Sequence, residues 1–385
     1  MGQKMHFSRL KKRRCGQIRA VDFIVSLFLF LLMLSQLILL VINIQTGIRT
    51  GTIGTVTYEE LDIFGRQLLL EEGDQDWGYY RALPSTFGLA DDNVQTYLSL
   101  DASKIARLIT DIPNPSGFQM YDYTTLKETI GLQRNFNFQL RFYPLIYPEV
   151  SVSSTNFAQV NVKNAYDIPI SNVQVHFFTI DLTNGNVILE GETLTNSGGD
   201  TSLQLSDPTE DIQGGEHFVF IIVEKGPLWG MNWGFNDPTS EEVNIGVSSS
   251  TAIWGGGLNS TSVLVNDFLA TRPDSHFITI IYQNSTSSYS NKTINLSTAA
   301  EGNETFLIPN EGLTAYFSIA RTNNQYEVGI GSYPAILDRI SVNGVFYQVF
   351  GELEPGSKTK SMLSKIYPVN IRGTLMSCQV TLWSK

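Results

Sequence analysis

The chain has 385 residues, a formal net charge of −11, 42% hydrophobic residues and only two cysteines. Seven Lys or Arg and one Asp give residues 1–22 a net charge of +6, which leaves −17 for the rest of the chain. An acidic surface of this kind disfavours nucleic acid and anionic lipid headgroups as its partners, because both repel it. Cys15 and Cys378 lie on opposite sides of the apolar segment described next, so we expect no disulfide to stabilise the fold.

An uncharged apolar run extends from Phe23 to Ile42, and we predict a transmembrane helix over residues 23–44. Twenty helical residues span about 30 Å, which is the thickness of a bilayer's hydrocarbon core. Basic residues precede the run, so the positive-inside rule predicts a cytoplasmic leader over residues 1–22 and export of the remainder. Two rival interpretations are a buried helix of a soluble protein and a cleaved secretory signal, but the first is normally interrupted by polar residues and the second is shorter. The basic side chains of the leader are Lys4, Arg9, Lys11, Lys12, Arg13, Arg14 and Arg19.

Sequons for N-glycosylation cluster in one part of the exported chain. All of them fall within 45 residues, which indicates an exposed and glycosylated face. The predicted glycosylation sites are Asn259, Asn284, Asn291, Asn295 and Asn303.

The first exported region, residues 45–149, has helical signals followed by a strand and is predicted to be a small membrane-proximal α+β region. Thr57 and Glu60 fit a capping box ahead of apolar residues at helical spacing, and Gly73 is a stop signal. Asp101 predicts the cap of a second short helix, and Thr125 predicts the start of a third. A half-buried strand follows, with its apolar positions at Phe136, Phe138, Leu140 and Phe142.

From residue 150 onward, short apolar runs separated by Gly, Asn, Pro and Asp predict β-strands. The run from His217 to Val223 has little alternation, which is typical of a strand buried on both faces, and Asn184-Gly185 marks a hairpin turn. We expect an Ig-like β-sandwich over residues 150–236 and a second β-rich domain over residues 237–385. The predicted fold class is therefore α+β, with a transmembrane helix, an α+β region and a mainly β ectodomain. No internal repeat is visible.

A search for catalytic and metal-binding patterns finds little. The exported part has three histidines, His176, His217 and His276, and none has a second His or Cys at metal-ligand spacing, so we expect structural roles for them. The chain has no nucleophile elbow, phosphate-binding loop or dinucleotide fingerprint. We therefore predict no catalytic residue, no metal and no cofactor.

Paired carboxylates are the catalytic route that remains open, because two acidic side chains can carry out acid/base hydrolysis. Most acidic pairs of this chain are expected to be loop charges. A loop Ca²⁺ site from Asp207, Glu210 and Asp211 is a second option, although its spacing is not that of an EF-hand. The acidic pairs are Asp74/Asp76, Asp91/Asp92, Glu210/Asp211 and Glu241/Glu242.

Residues 11–23 read KKRRCGQIRAVDF and run directly into the apolar segment. This sequence resembles the class III signal peptides of archaeal type IV pilin-like proteins, in which a basic leader ends in Gly-Gln and an acidic residue heads a hydrophobic helix. The resemblance implies cleavage by a prepilin-type peptidase between Gly16 and Gln17, with Asp22 pairing with the amino terminus of a like subunit. The motifs LLLEEGD, DWG, FGLA and LDASK within residues 68–104 resemble the segment that follows the span in such proteins. The likeness covers about residues 11–140, and an uncut leader that serves as the anchor is the alternative.

These features predict a membrane-anchored, outward-facing cell-surface protein that has a structural or adhesive role and is not an enzyme. One alternative is a processed type IV pilin-like filament subunit. Another is a membrane-anchored extracellular hydrolase that uses paired carboxylates. The expected partners are the lipid bilayer, a prepilin-type peptidase, and like subunits or other envelope proteins, but not nucleic acid.

Overall fold

The structure is a computed structural model, and the chain divides into two compact units, Met1–Tyr58 and Glu59–Lys385. The predicted leader (1–22) and the predicted span (23–44) lie outside the described residues. Within the described part, no helix is long and apolar enough to cross a membrane. The described residues are 56–75, 77–78, 84–92, 94, 96–108, 122–132, 136–153, 157–206, 217–234, 243–247, 251–255, 262–267, 275–283, 288–295, 304–307, 314–322, 325–333, 339–340, 346–351, 359 and 361–384.

Short helices occur only in the first part of the described chain. They are α1 (Tyr58–Leu70), α2 (Ala102–Ala106) and α3 (Tyr123–Thr129). The predicted cap of the second helix is confirmed, because the side chain of Asp101 accepts a hydrogen bond from the Ser103 amide at 2.7 Å. The third helix begins earlier than predicted. Its N-cap is Asp122, whose carboxylate accepts from the Thr125 amide at 2.9 Å, so Thr125 lies within the first turn instead of capping it.

The strands run from residue 99 to residue 384, so the predicted mainly β character is confirmed. They are β1 (Ser99–Leu100), β2 (Phe136–Pro144), β3 (Ile146–Val152), β4 (Phe157–Asn164), β5 (Gln174–Asp181), β6 (Val187–Leu194), β7 (Asp200–Gln204), β8 (His217–Lys225), β9 (Leu228–Gly234), β10 (Val243–Val247), β11 (Thr251–Gly255), β12 (Ser262–Asp267), β13 (Ser275–Gln283), β14 (Tyr289–Asn295), β15 (Glu304–Leu307), β16 (Thr314–Thr322), β17 (Gln325–Tyr333), β18 (Arg339–Ile340), β19 (Phe346–Gly351), β20 (Ser361–Ile371) and β21 (Thr374–Ser384).

A helix-covered sheet combines strands from both ends of the described chain, in the order β1-β20-β21-β2-β19-β18. Helix α1 packs on it, since the rings of Phe64 and Phe138 are 5.1 Å apart and Gly65 lies against the ring of Tyr367. Strand β21 pairs with β20 on one side and β2 on the other. The contiguous division into 45–149 and 237–385 did not anticipate this pairing, because residues 361–384 complete the sheet of the earlier region.

Strand β2 is more buried than the predicted half-buried strand. Phe138, Leu140 and Phe142 are buried as expected, but Asn137 is also only 1% exposed. Its amide oxygen accepts hydrogen bonds from the Tyr123 hydroxyl at 3.2 Å and the Lys127 ammonium at 3.0 Å. Helix α3 therefore supplies the hydrogen-bond partners of the buried amide oxygen, whereas the amide nitrogen has none among the described residues.

Residues 146–234 form a β-sandwich of two antiparallel sheets, β3-β4-β7 and β6-β5-β8-β9. Two packed antiparallel sheets of this kind form an Ig-like sandwich, as the sequence predicted. Side chains that alternate along the facing strands fill the space between the sheets. The core residues are Ile146, Ala158, Val160, Val162, Val173, Val175, Phe177, Leu205, Val219, Ile221 and Val223.

Residues 243–333 repeat the same connectivity with an additional first strand. One sheet has the order β10-β17-β16-β13-β14 and the other has the order β11-β12-β15. Strand β10 pairs with β17 in parallel, and the remaining pairings in these two sheets are antiparallel. Both sandwich segments lie in sequence between β2 and β18, so they form one long insertion in the helix-covered sheet.

Candidate functional site: the junction of the two sandwiches

The sheet β6-β5-β8-β9 has a second buried face, which the sandwich core does not use. Along β5 and β8 one set of side chains points into the sandwich, while the alternate set, including His176, Phe178, Phe218 and Phe220, is also at most 2% exposed. The predicted burial of this run is therefore confirmed for residues 218–223, whereas His217 at its start is only partly buried. The second face is covered by the sheet β10-β17-β16-β13-β14 of the other sandwich, as the contacts below show.

Aromatic rings form the apolar part of this junction. The ring centroid of Phe317 on β16 lies 5.7 Å from that of Phe218 and 4.7 Å from that of Phe220, both in edge-to-face geometry. Tyr289 on β14 lies 5.5 Å from Phe178 in the same geometry. Such pairs contribute about 0.5–1.5 kcal/mol each beyond the burial of their area, so the two sandwiches are held face to face.

Two threonines of the second sandwich form hydrogen bonds with a hairpin turn of the first. The hydroxyls of Thr279 and Thr293 both donate to the carbonyl oxygen of Gly185, at 2.7 and 2.8 Å. Gly185 has a φ of +73°, and a Cβ there would stand 2.8 Å from the Thr279 hydroxyl oxygen. Both the left-handed backbone and the close approach therefore require glycine at this turn.

The polar part of the junction is a cluster of His176, Glu192 and Glu224 from the first sandwich with Gln283 and Tyr289 from the second. The Gln283 amide donates to Glu224 Oε2 at 3.4 Å, and the rings of His176 and Tyr289 are 4.7 Å apart. His176 Nδ1 lies 3.1 Å from Glu192 Oε1, a charge contact that is not aligned as a hydrogen bond. Glu224 Oε1 is buried and has no hydrogen-bond partner among the described residues.

Burial dominates the electrostatics of this cluster. It raises the pKa of Glu224 to about 7, the like charge of Glu192 raises it as well, and the Gln283 hydrogen bond opposes both effects. Burial also lowers the pKa of His176, against the opposing influence of Glu192. The junction therefore favours the neutral forms of both side chains.

Of the predicted glycosylation sites, Asn291 and Asn295 lie on β14, and both are exposed. The amide of Asn291 donates to the Val187 carbonyl oxygen of the first sandwich at 3.3 Å, so this site borders the junction. The predicted residues that lie outside the described part are Gly16, Gln17, Asp22, Asn259, Asn284 and Asn303.

The other histidines lie apart from the cluster. His276 Nε2 is 3.0 Å from the Ser318 hydroxyl within one sheet, and His217 Nε2 is 3.8 Å from Asp181 Oδ2. Within the described ranges, no three His, Cys, Asp or Glu side chains form a group that could hold a metal ion.

Among the described members of the predicted acidic pairs, Asp74 and Asp92 each have partners of another kind. Asp74 accepts hydrogen bonds from Thr86 and Ser85, which lower its pKa, and Asp92 lies 2.5 Å from the buried Lys104 ammonium. The cluster residues that were not among the predicted site residues are Glu192, Glu224, Gln283 and Tyr289. An acid placed directly after the apolar run 217–223 was the available signal for Glu224. The acidic residues that lie outside the described part are Asp76, Asp207, Glu210, Asp211, Glu241 and Glu242.

Two surface cavities lie elsewhere. One, of about 520 Å³, is a polar depression on the outer face of β3-β4-β7, lined by residues that include Glu149, Gln159, Asn161 and Asp200. The other, of about 890 Å³, lies beside α1 and is lined by residues that include Arg66. Neither is lined by Glu192 or Glu224.

No protein-family model and no curated protein matches the chain. Solved structures do match about half of it. A two-domain fibronectin type III segment from chicken tenascin has 12% identity, with 48% of this chain and 95% of that chain covered, at a TM-score of 0.16. A tetra-tandem repeat from the extending region of a large adhesion protein has 16% identity, with 50% and 49% covered, at a TM-score of 0.19. The FN1–FN3 domains of chicken CNTN1 have 10% identity, with 49% and 68% covered, at a TM-score of 0.16. Scores this low carry no argument about function.

Proposed function

We propose that this chain is a non-enzymatic cell-surface protein, anchored by residues 23–44, that presents two side-by-side Ig-like sandwiches on a helix-covered sheet. The observation that carries the proposal is the junction, where aromatic rings pack together and two threonines hydrogen-bond to the Gly185 turn, so that the two sandwiches are in direct contact. A body of this kind suits a structural or adhesive role, because its relative domain positions are set by packing and not by a linker. The charge of −17 after residue 22 is consistent with an external, solvated surface.

The outer face of β3-β4-β7 is the surface of the first sandwich that such a protein would offer to partners. It carries the polar depression that includes Glu149, Asn161 and Asp200. In contrast, Glu224, whose pKa is raised to about 7 as that of a catalytic acid can be, lies against the Gln283 amide and lines neither of the two cavities. We therefore do not favour the hydrolase alternative.

Protease treatment of intact cells tests the proposed topology. With the bulk of the chain outside, added protease removes residues beyond 45 while a cytoplasmic control protein stays whole. Recovery of the full-length chain from the soluble cytosol, without detergent, would refute the proposal.

The processed filament subunit is the second candidate, and the GQIRAVDF motif that follows the basic leader favours it. Peptide mapping of the mature amino terminus separates it from an uncut anchor. A start at Gln17 supports processing, whereas a start at Met1 or Gly2 contradicts it. In the filament case, Asp22→Ala abolishes incorporation into filaments while membrane insertion persists, and Asp22→Glu serves as the matched control.

A further inference from the structure

Within the described part of the junction, the interactions that act on the Glu224 carboxyl group include the negative charge of Glu192 and no cation. Its Oε1 is buried without a hydrogen-bond partner among the described residues, and its Oε2 receives the long hydrogen bond from the Gln283 amide. Because burial and the like charge of Glu192 outweigh this one hydrogen bond, the closed junction accommodates the protonated form better than the ionised form.

Among the described residues, the titratable groups around Glu224 include those of the polar cluster. Glu192 on β6 is an acid, His176 on β5 has its pKa lowered by burial, and Tyr289 on β14 is a phenol. Lys225, which follows Glu224 on β8, donates to the Ser171 carbonyl oxygen. Lys292 lies on β14 at a position that alternates with Tyr289 and Asn291.

We propose that the junction is a pH-sensitive latch between the two sandwiches, closed when Glu224 is protonated and loosened when it ionises. The components of the latch lie on separate sandwiches, so ionisation acts on their contact and not on either core. Opening lets water reach the carboxylate and separates it from Gln283. The hydrogen bonds to the Gly185 turn and the hydrogen bond from Asn291 to Val187 border the same junction. They break when the junction opens.

The direction of the pH effect follows from the linkage between opening of the junction and ionisation of Glu224. A carboxyl group whose pKa rises from 4.5 to about 7 on closure stabilises the closed state fully below pH 4.5, and this contribution is lost as pH rises through 7. From Glu224 alone, the opening equilibrium constant should increase about 70-fold between pH 5 and pH 8. His176 acts in the opposite direction, since a buried neutral imidazole loosens the junction as pH falls through its lowered pKa.

Hydrogen exchange of the full-length protein in detergent, measured from pH 5 to pH 8 and corrected for intrinsic exchange rates, tests the latch. Peptides covering 181–187 and 288–295 should lose protection as pH rises, while β4 in the sandwich core keeps its protection. Glu224→Gln, which cannot ionise, should reduce the change at the junction to less than about threefold. Gln283→Lys places a cation opposite an unaltered Glu224 and should also reduce the dependence of junction opening on pH.

Glu190→Gln is the matched control, because Glu190 lies on β6 and accepts hydrogen bonds from Ser206 instead of facing the second sandwich. It should retain the wild-type pH dependence. The latch is overturned if Glu224→Gln and Gln283→Lys both keep the wild-type increase in opening. It is equally overturned if β4 loses protection in parallel with the junction, since the protein would then be unfolding as a whole. The latch operates whether or not the chain is anchored in a membrane, so these results are separable from the protease test.

Discussion

Lys104 is a fully buried cation, and removing its charge should destabilise the helix-covered region strongly. Its ammonium donates to the carbonyl oxygens of Glu72 at 2.9 Å and Ala90 at 2.7 Å and to Asp92 Oδ1 at 2.5 Å, so all three donor hydrogens are used. The side chain of Asp92 is only 8% exposed. Lys104→Met keeps the length of the side chain but leaves a buried carboxylate and two carbonyl oxygens without this partner. We expect a loss of about 3–5 kcal/mol in the free energy of unfolding.

Lys365 provides the matched comparison, because its ammonium also lies 2.5 Å from an aspartate oxygen, that of Asp62, but both side chains are solvated. Lys365→Met should leave the unfolding midpoint nearly unchanged, since water replaces the lost partner. The assay is urea unfolding followed by the fluorescence of the five tryptophans, among which Trp77 is 1% exposed and donates its indole N–H to the Gly88 carbonyl oxygen at 2.8 Å. Adding Asp92→Leu to Lys104→Met should recover part of the loss by removing the stranded charge. Equal effects of the two lysine substitutions would refute the reasoning that burial decides the strength of these ion pairs.

The remaining predictions concern one glycine and one thiol. Gly185→Ala should cost about 1–2 kcal/mol from the left-handed backbone alone, and more from the contact with the Thr279 hydroxyl. Gly226 is the control, because it has a φ of +59° and open space at its Cβ, so Gly226→Ala should lose only the free energy that the left-handed backbone costs. Thermal unfolding should therefore show a larger midpoint shift for Gly185→Ala. Equal midpoint shifts would contradict the role of Gly185 at the junction. Cys378 is fully buried, which raises the pKa of its thiol, so its peptide should stay unmodified by iodoacetamide at pH 8 in native protein and become modified in urea. Rapid alkylation before unfolding, detected by peptide mass spectrometry, would show that β21 is accessible.

Local signals in the sequence were reliable where the interaction that they imply is itself local. The Asp101 cap is made to an amide two residues away, so the sequence motif contains both partners. The uniform apolar run 217–223 indicated burial on both faces because a strand exposes its alternate residues unless something covers them. The same reasoning failed for Asn137, whose polarity indicated an exposed face while its partners, Tyr123 and Lys127, lie 10 to 14 residues away.

The candidate site was not predictable in the same way. Glu224 and Gln283 are 59 residues apart in sequence, and neither belongs to a motif. The repeat of the sandwich connectivity could not be predicted from the sequence either. Many different apolar sequences can form the same strand order, so the two sandwiches need not share a residue pattern.

Composition, charge pattern and hydrophobic periodicity by themselves determined the mainly β character and the short helices, and indicated that residues 150–236 form a sandwich. Those properties depend on neighbours within a few residues, which a linear pattern contains. Only the tertiary structure decided that β21 pairs with β2, that the two sandwiches meet face to face, and that one carboxyl oxygen of Glu224 is buried without a hydrogen-bond partner among the described residues. The physical reason is that strand pairing and the burial of a charge depend on which distant surfaces come together, and many pairings satisfy the same local pattern.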